Sequence, residues 1–263
     1  MKLLADLHVH TKDDPEDGHV FVSPERLFCK ARRRGINVIC LSYHNIIGYN
    51  DLQAQRARHY GITLLPGLEK SISKQEIGID DEHDFHILVY GTSTEVLTPL
   101  VAMESWKDIL SYKKRHARDL VFCLAHPFLA DYALPVATVE RLIKEKGIDA
   151  LEYDNYYGTL PGMELSDRAT AADLAGRYDL PLLANSDTHF LAMFGHSWSE
   201  LQVGSKDISG VIQALKDPRK VAAVSRAHSW WVFGAIAFFF GMAVILARLK
   251  FGDVLERIGI HIH

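Results

Sequence analysis

Short apolar runs alternate with longer amphipathic segments from residue 3 to about residue 217. The runs Leu3–His8, Asn37–Tyr43, Ile62–Leu68, Phe85–Tyr90, Leu120–Ala125, Ala150–Tyr153 and Leu182–Ala184 read as strands. Between them the apolar spacing predicts helices over Pro24–Arg34, Asp51–His59, Thr94–His116, Val136–Lys146 and Met163–Tyr178, with one more over Lys206–Arg219. Ser23-Pro24-Glu25 is a helix start, with Ser as N-cap and Pro at the first helical position. Gly35 and Gly147 each follow a basic helix end, as C-caps do. Strands alternating with helices imply parallel strands joined by right-handed crossovers, and seven such units favour a (β/α) barrel over a two-layer sheet. In either case functional groups gather at the C-terminal ends of the strands.

The pattern changes near the C-terminus. From Trp230 to Ala247 there is no charged residue, and Arg226 and Arg248 flank the stretch. At about 1.5 Å per residue such a helix covers about 27 Å, the thickness of a hydrocarbon layer. It is apolar all round, with a Trp pair at one end and Arg and Lys at the other. The expected domain plan is therefore a barrel over 1–217, a linker over 218–229, a transmembrane helix over 230–249 and a short tail over 250–263. The start, MKLLADLHVH, lacks the features of a signal peptide, and Cys29, Cys40 and Cys123 form no CxxC pair. Together these features place the barrel at the cytoplasmic face of a membrane, with lipid as a partner through the C-terminal segment. The alternative is a soluble cytoplasmic protein in which that segment is a core helix. A net charge of -4 provides no basic field for gripping duplex nucleic acid, although short nucleotides remain eligible substrates.

Histidine is the informative residue. The chain has 14 of them, and several close apolar runs. The first run ends on His8-Val9-His10, the second on His44, and the third on Glu69; the fourth begins with His86. The fifth ends on His126, the sixth carries Glu152 and Asn155, and the seventh is followed by Asp187 and His189. Residues two apart on a strand face the same way, so His8 with His10, and Asp187 with His189, can address one site. A lone histidine at a strand end is usually only hydrogen-bonded in place. Independent core histidines, however, have no reason to recur at successive strand ends. Imidazole and carboxylate without thiolate suit Mn²⁺, Fe²⁺ or Zn²⁺, and the set predicts a multinuclear metal site. Lys70, directly after Glu69, is the candidate phosphate-binding cation. The KKRHAR run at 113–118 reads as a solvated helix face, and His83 as a solvated loop residue.

The ordered series DLHVHT at 6–11, DG at 17–18, SPERL at 23–27, YHN at 43–45, GLEKS at 67–71, HILVYG at 86–91, AHP at 125–127, LEYDN at 151–155 and SDTH at 186–189 resembles the polymerase and histidinol phosphatase (PHP) superfamily. That resemblance implies a distorted seven-stranded (β/α) barrel carrying two or three divalent ions. One ion would take His8, His10 and Asp187. Glu69 would bridge it to a second ion on His86 and His126, and a third would use Asp17, His44 and His189. Asn155 matches the family's Glu-x-x-Asn element and would support the site by hydrogen bonds. The implied activity is metal-dependent hydrolysis of a small phosphoester, such as a nucleotide or sugar phosphate. The alternatives are a nuclease on single strands or oligonucleotides, and a catalytically impaired membrane-bound scaffold. Two departures stand out: Tyr43 replaces the Asp of the usual Asp-His pair, and the segment between His10 and Asp17 is about two residues longer than usual. The longer segment makes Asp13 and Asp14 rivals of Asp17, and Asp17 is chosen because Asp-Gly fits the family pattern.

Overall fold

The computed structural model describes residues 1–129, 132–154 and 167–225. Its strands are β1 Lys2–Val9, β2 Val38–Leu41, β3 Thr63–Leu64, β4 Gly67–Ser73, β5 Asp84–Gly91, β6 Leu120–Leu124, β7 Ala150–Asp154, β8 Leu182–Ala184, β9 Ser197–Gln202 and β10 Val221–Ser225. The helices are α1 Pro24–Arg34, α2 Asp51–His59, α3 Thr94–Val101, α4 Trp106–Arg115, α5 Val136–Lys144, α6 Arg168–Tyr178 and α7 Ile208–Ala214. Helix α1 starts as its sequence requires: the Ser23 side chain accepts from Arg26 N, Pro24 follows, and Gly35 closes the helix at φ 74°. Gly147 is not the equivalent cap. Lys146 takes the left-handed conformation there, and Gly147 instead makes room for the Trp106 ring.

The expected seven-stranded parallel barrel is replaced by two five-stranded sheets, ordered β10-β9-β1-β2-β3 and β4-β5-β6-β7-β8. The single run expected over 62–68 breaks at Pro66, which has no N–H to give to a ladder. Its first half, β3, stays with β2, and its second half, β4, joins the other sheet. Strand β5 then runs antiparallel to β4, because a short 3₁₀ turn at Lys74–Ile77 and the loop after it reverse the chain without a crossover, and it pairs antiparallel with β6 as well. Strands β9 and β10 also pair antiparallel, at the β1 edge. Both were missed in the sequence. In β9 the inward positions are Ser197, Ser199 and Leu201, so its alternation is small-polar rather than apolar. Because β10 pairs with β9, the folded unit runs at least through Ser225, into what was expected to be linker.

Both sheets contribute to one inner core. Leu3, Ala5 and Leu7 of β1 and Val38 and Cys40 of β2 pack with Leu88 and Tyr90 of β5, Val121 and Cys123 of β6, and Leu183 of β8. The alternate residues Ile39 and Leu41 face a cluster under α1 and α2, while Ile87, Val89, Phe122 and Leu124 face a cluster under α3 to α6. Period-two alternation with both faces apolar is why these strands read as unbroken apolar runs. Among the described residues no closed ladder forms. Single bridges, Val9 to Thr188 and His44 to Glu69, join the two sheets instead.

Among the described residues no helix is long and apolar enough to cross a membrane. The segment 230–249 expected to do so lies outside the described residues, as does the tail over 250–263.

Gly67 sets how closely β4 approaches its neighbours. A Cβ there would lie 2.5 Å from Cys40 Sγ and 2.8 Å from the Val89 carbonyl oxygen, and both are buried. Gly67→Ala should therefore cost about 1–3 kcal/mol by overpacking. Calorimetry should show the melting temperature falling by roughly 5 °C, by the usual scaling for a domain of this size. An unchanged melting temperature would mean that β4 has slack the structure does not show.

Candidate metal centre

The two bridges that join the sheets lie at the site itself. His10 N donates to Thr188 O at 3.1 Å, Glu69 N to Tyr43 O at 3.0 Å, and Asn45 N to Glu69 O at 2.8 Å. Strand β1 shifts register between Asp6 and Val9. Leu3, Ala5 and Leu7 belong to the inner core but Val9 to the outer one, so the alternation changes phase across this irregularity. His8 and His10 are thereby left opposite Val9, and both are fully buried. His86 stands at the start of β5 rather than the end. Antiparallel pairing brings that start, opposite Ser71 of β4, to the end of the fold where Glu69 lies. His126 (φ 27°) and Asp187 (φ 49°) occupy backbone conformations rare for residues with side chains, as chains leaving strands at functional sites often do.

Glu69 is the centre of the cluster. Its Oε2 lies 2.9 Å from His8 Nε2, 3.1 Å from His10 Nε2 and 3.5 Å from His44 Nε2. Its Oε1 lies 2.8 Å from His86 Nδ1 and 3.3 Å from His126 Nε2. Asp187 Oδ1 lies 3.4 Å from His8 Nε2 and 3.5 Å from both His10 Nε2 and His189 Nδ1. Asp17 Oδ2 lies 3.1 Å from His10 Nδ1 and 3.5 Å from both His44 Nδ1 and His189 Nε2. Burial opposes charge on Glu69, but His8 and His86 outweigh it and hold its carboxyl well below the usual range. Burial likewise opposes protonation of His8, and Glu69, Asp187 and Glu152 override it, raising the imidazole well above its ordinary value. His86 goes the other way: its burial outweighs Glu69 and lowers it. Behind the cluster, burial pushes the Asp6 carboxyl up to about 7.

These residues fit divalent cations. His8 Nδ1 meets Glu152 Oε1 at 3.0 Å, and that oxygen also accepts from Asn185 Nδ2 at 2.8 Å. If the only proton of His8 sits on Nδ1, its Nε2 lone pair faces the Glu69 carboxylate, and a cation between them would satisfy both. His10 Nε2, Asp17 Oδ2 and His86 Nδ1 lie close to groups of opposite charge but out of hydrogen-bonding geometry, and His126 Nδ1 is buried without a hydrogen-bond partner among the described residues. Leaving such atoms unsatisfied is costly unless something else binds them. The ligand-capable sets include His8, His10 and Glu69; His8, His126 and Asp187; His10, Asp187 and His189; and His10, Asp14, Asp17 and His44.

The structure thus draws His8, His10, Asp17, His44, Glu69, His86, His126, Asp187 and His189 into one cluster. Lys70 does not join it. It follows Glu69 on the same strand, so its side chain faces the other way, is buried, and donates to the Val101 carbonyl at 3.1 Å. Asn155 lies outside the described residues. Among the described residues, Glu152 hydrogen-bonds the His8 ring, and its Oε2 accepts from His126 N at 2.9 Å. His83 is exposed beside Asp81, as a loop residue should be. Lys113, read as solvated, is instead buried and bonded to Asp149 and the Lys146 carbonyl.

Asp14 was set aside in favour of Asp17, yet both reach the site. Asp14 Oδ2 lies 3.0 Å from His10 Nδ1 and 3.1 Å from His44 Nδ1, and it accepts from His44 N at 3.0 Å. Burial disfavours its charge, but His10 and His44 outweigh this and lower its pKa. The extra length of the loop after His10 was the available signal. Tyr43 is buried, and its hydroxyl bonds Thr11.

Residues 166–219 match the model of the PHP-associated family. No curated protein matches the sequence. Among solved structures, a two-domain protein containing a predicted PHP-like metal-dependent phosphoesterase, from Bacteroides vulgatus, superposes with a TM-score of 0.60 at 16% identity. That match covers 86% of this chain and 65% of the other, so this chain spans slightly less than two thirds of its length. The two chains share a fold. PsfC from Pseudomonas syringae gives a TM-score of 0.61 at 12% identity, covering 92% of this chain and 99% of PsfC. The lesion-specific endonuclease Q from Pyrococcus furiosus gives 0.56 at 16% identity, covering 82% of this chain and 56% of that one.

Because one Asp14 oxygen holds both His10 and His44, Asp14→Asn should weaken divalent-ion affinity by about 10–100-fold while the fold persists. Competition against a chromophoric chelator measures this. Affinity equal to that of the parent chain would show that the two imidazoles keep their orientation without the carboxylate.

Proposed function

We propose that this chain is a PHP-superfamily hydrolase that cleaves small phosphoesters, such as nucleotide or sugar phosphates, at a di- or trinuclear metal site. The observation that carries this reading is the division of imidazoles by Glu69: His8, His10 and His44 face one oxygen, and His86 and His126 face the other. A carboxylate so placed suits two neighbouring cations. The PHP-like fold and the match at 166–219 support the same reading.

Mn²⁺, Fe²⁺ or Zn²⁺ bound there would supply Lewis-acid polarisation of a phosphoryl oxygen and acidify a water for attack. The protein's own part is positioning. Glu152 fixes the His8 ring and the backbone at His126, and Asp14 fixes His10 and His44. Such supporting partners decide how well ligands hold their geometry. Access is from the side of His44 and His189, whose side chains are 14% exposed while those of His8 and His10 are fully covered. Tyr132, 40% exposed, flanks the other side with its ring 4.8 Å from His86 and 5.1 Å from His126. A phosphoryl group entering between these margins meets the bridging carboxylate region directly.

A nuclease reading draws on the shared fold with endonuclease Q, itself a lesion-specific endonuclease. The net charge of -4 gives less support for a long duplex than for a short strand or mononucleotide.

A panel of nucleotides, sugar phosphates, an aryl phosphodiester and single-stranded oligonucleotides, assayed with Mn²⁺, Fe²⁺ and Zn²⁺, separates the readings. Turnover of a small ester that is abolished by chelator is expected. Asp187→Asn should lower the rate by at least about 100-fold, since it removes a group shared by His8, His10 and His189. Cleavage confined to oligonucleotides would favour the nuclease, and no turnover with bound metal would favour a scaffold.

A further inference from the structure

His19 does not figure in the ligand set read from the sequence, yet the fold brings it to the edge of the cluster. Its ring lies parallel to that of His189, with 5.6 Å between centroids and 1° between planes. Asp17, His19 and His189 each offer one ligand atom, all within 4.8 Å of one another. Asp17 is 6% exposed, and its Oδ2 has no hydrogen-bond partner among the described residues although it lies within 3.5 Å of the His189 ring nitrogen. A buried carboxylate oxygen left without a hydrogen among imidazoles is poised for a cation. The other imidazoles near Asp17, His10 and His44, have their Nδ1 atoms held by Asp14 at 3.0 and 3.1 Å. His19 and His189 are both half-buried, so they stand on the solvent side of the fully buried His8 and His10.

We infer that His19 is a metal ligand, joining Asp17 and His189 to hold the outermost divalent cation of the cluster. Imidazole, imidazole and carboxylate suit Zn²⁺, Mn²⁺ or Fe²⁺, with open positions left for water or substrate. The inference rests on the metal reading proposed above. It predicts that the outermost ion is the most weakly held, because its ligands are the most exposed.

The test is metal content and stepwise affinity in the full-length chain, using Zn²⁺ by elemental analysis and calorimetry and Co²⁺ by visible absorption. The parent chain should bind three equivalents. His19→Ala should lose the weakest one, or weaken that step at least about 10-fold, with an altered Co²⁺ spectrum and the two tighter steps unchanged. His19→Asp, which restores a ligand atom, should recover most of the third equivalent. A His19→Ala chain that keeps all three steps and the parent spectrum would overturn the role of His19 while leaving the metal centre standing. A parent chain that binds no metal stoichiometrically would overturn both.

Discussion

One buried carboxylate governs this structure. Glu69 is 1% exposed and lies within 3.5 Å of five imidazoles contributed by the ends of different strands. Burying it as an anion is expensive unless cations or hydrogen bonds compensate, and the imidazoles can do so only by carrying protons or by sharing metal ions. The fold is arranged so that this compensation is possible. The β1 irregularity turns His8 and His10 inward, and the His44–Glu69 bridge locks β4 against the end of β2. The antiparallel course of β5 delivers His86 from a strand start. Backbone at His126 and Asp187 departs from ordinary conformations to complete the ring. Concentrating polar groups and strained backbone where the two sheets meet is what a binding site demands and what a core avoids.

The convergence of these side chains was legible because chemistry and position agreed: histidines and carboxylates at strand ends carry a signal that single residues lack. Helices α1 and α2 were legible to the residue, since caps and periodicity coincide there. Strand direction was not. An apolar run such as FHILVY looks the same whether it pairs parallel or antiparallel, and only Pro66 and the short turn after β4 hint at the reversal. The β9 strand stayed hidden because Ser197 and Ser199 fill its inward positions, and Ser199 Oγ bonds the backbone of Ala184. Lys70 looked like a phosphate ligand by proximity in sequence, but strand alternation sends it away from Glu69. The missed strand directions and the missed β9 share a cause: neighbours across a sheet are set by long-range pairing, which periodicity does not encode.

The loop after His10 shows how a local change can be absorbed. Where the resemblance leads one to expect an acidic residue before His44, Tyr43 is buried and bonded to Thr11. The longer loop brings Asp14 to the His44 backbone and ring instead. A carboxylate is thus kept beside His44 although position 43 no longer provides one. The same loop carries Asp17 and His19, so a single segment shapes the more exposed margin of the centre. Differences in metal number or substrate among proteins of this fold can arise from such loops while the inner ligands stay fixed.

On the proposed reading, Glu69 would hold two cations, one on each side of its carboxylate. Anomalous diffraction from crystals grown with Mn²⁺ or Zn²⁺, collected on both sides of the metal absorption edge, tests it most directly. One peak is expected beside Oε2 among His8, His10 and Asp187, and a second beside Oε1 between His86 and His126. Peaks absent from both sides of Glu69 in fully metal-loaded crystals, or a single ion that leaves one carboxylate oxygen uncoordinated, would contradict it.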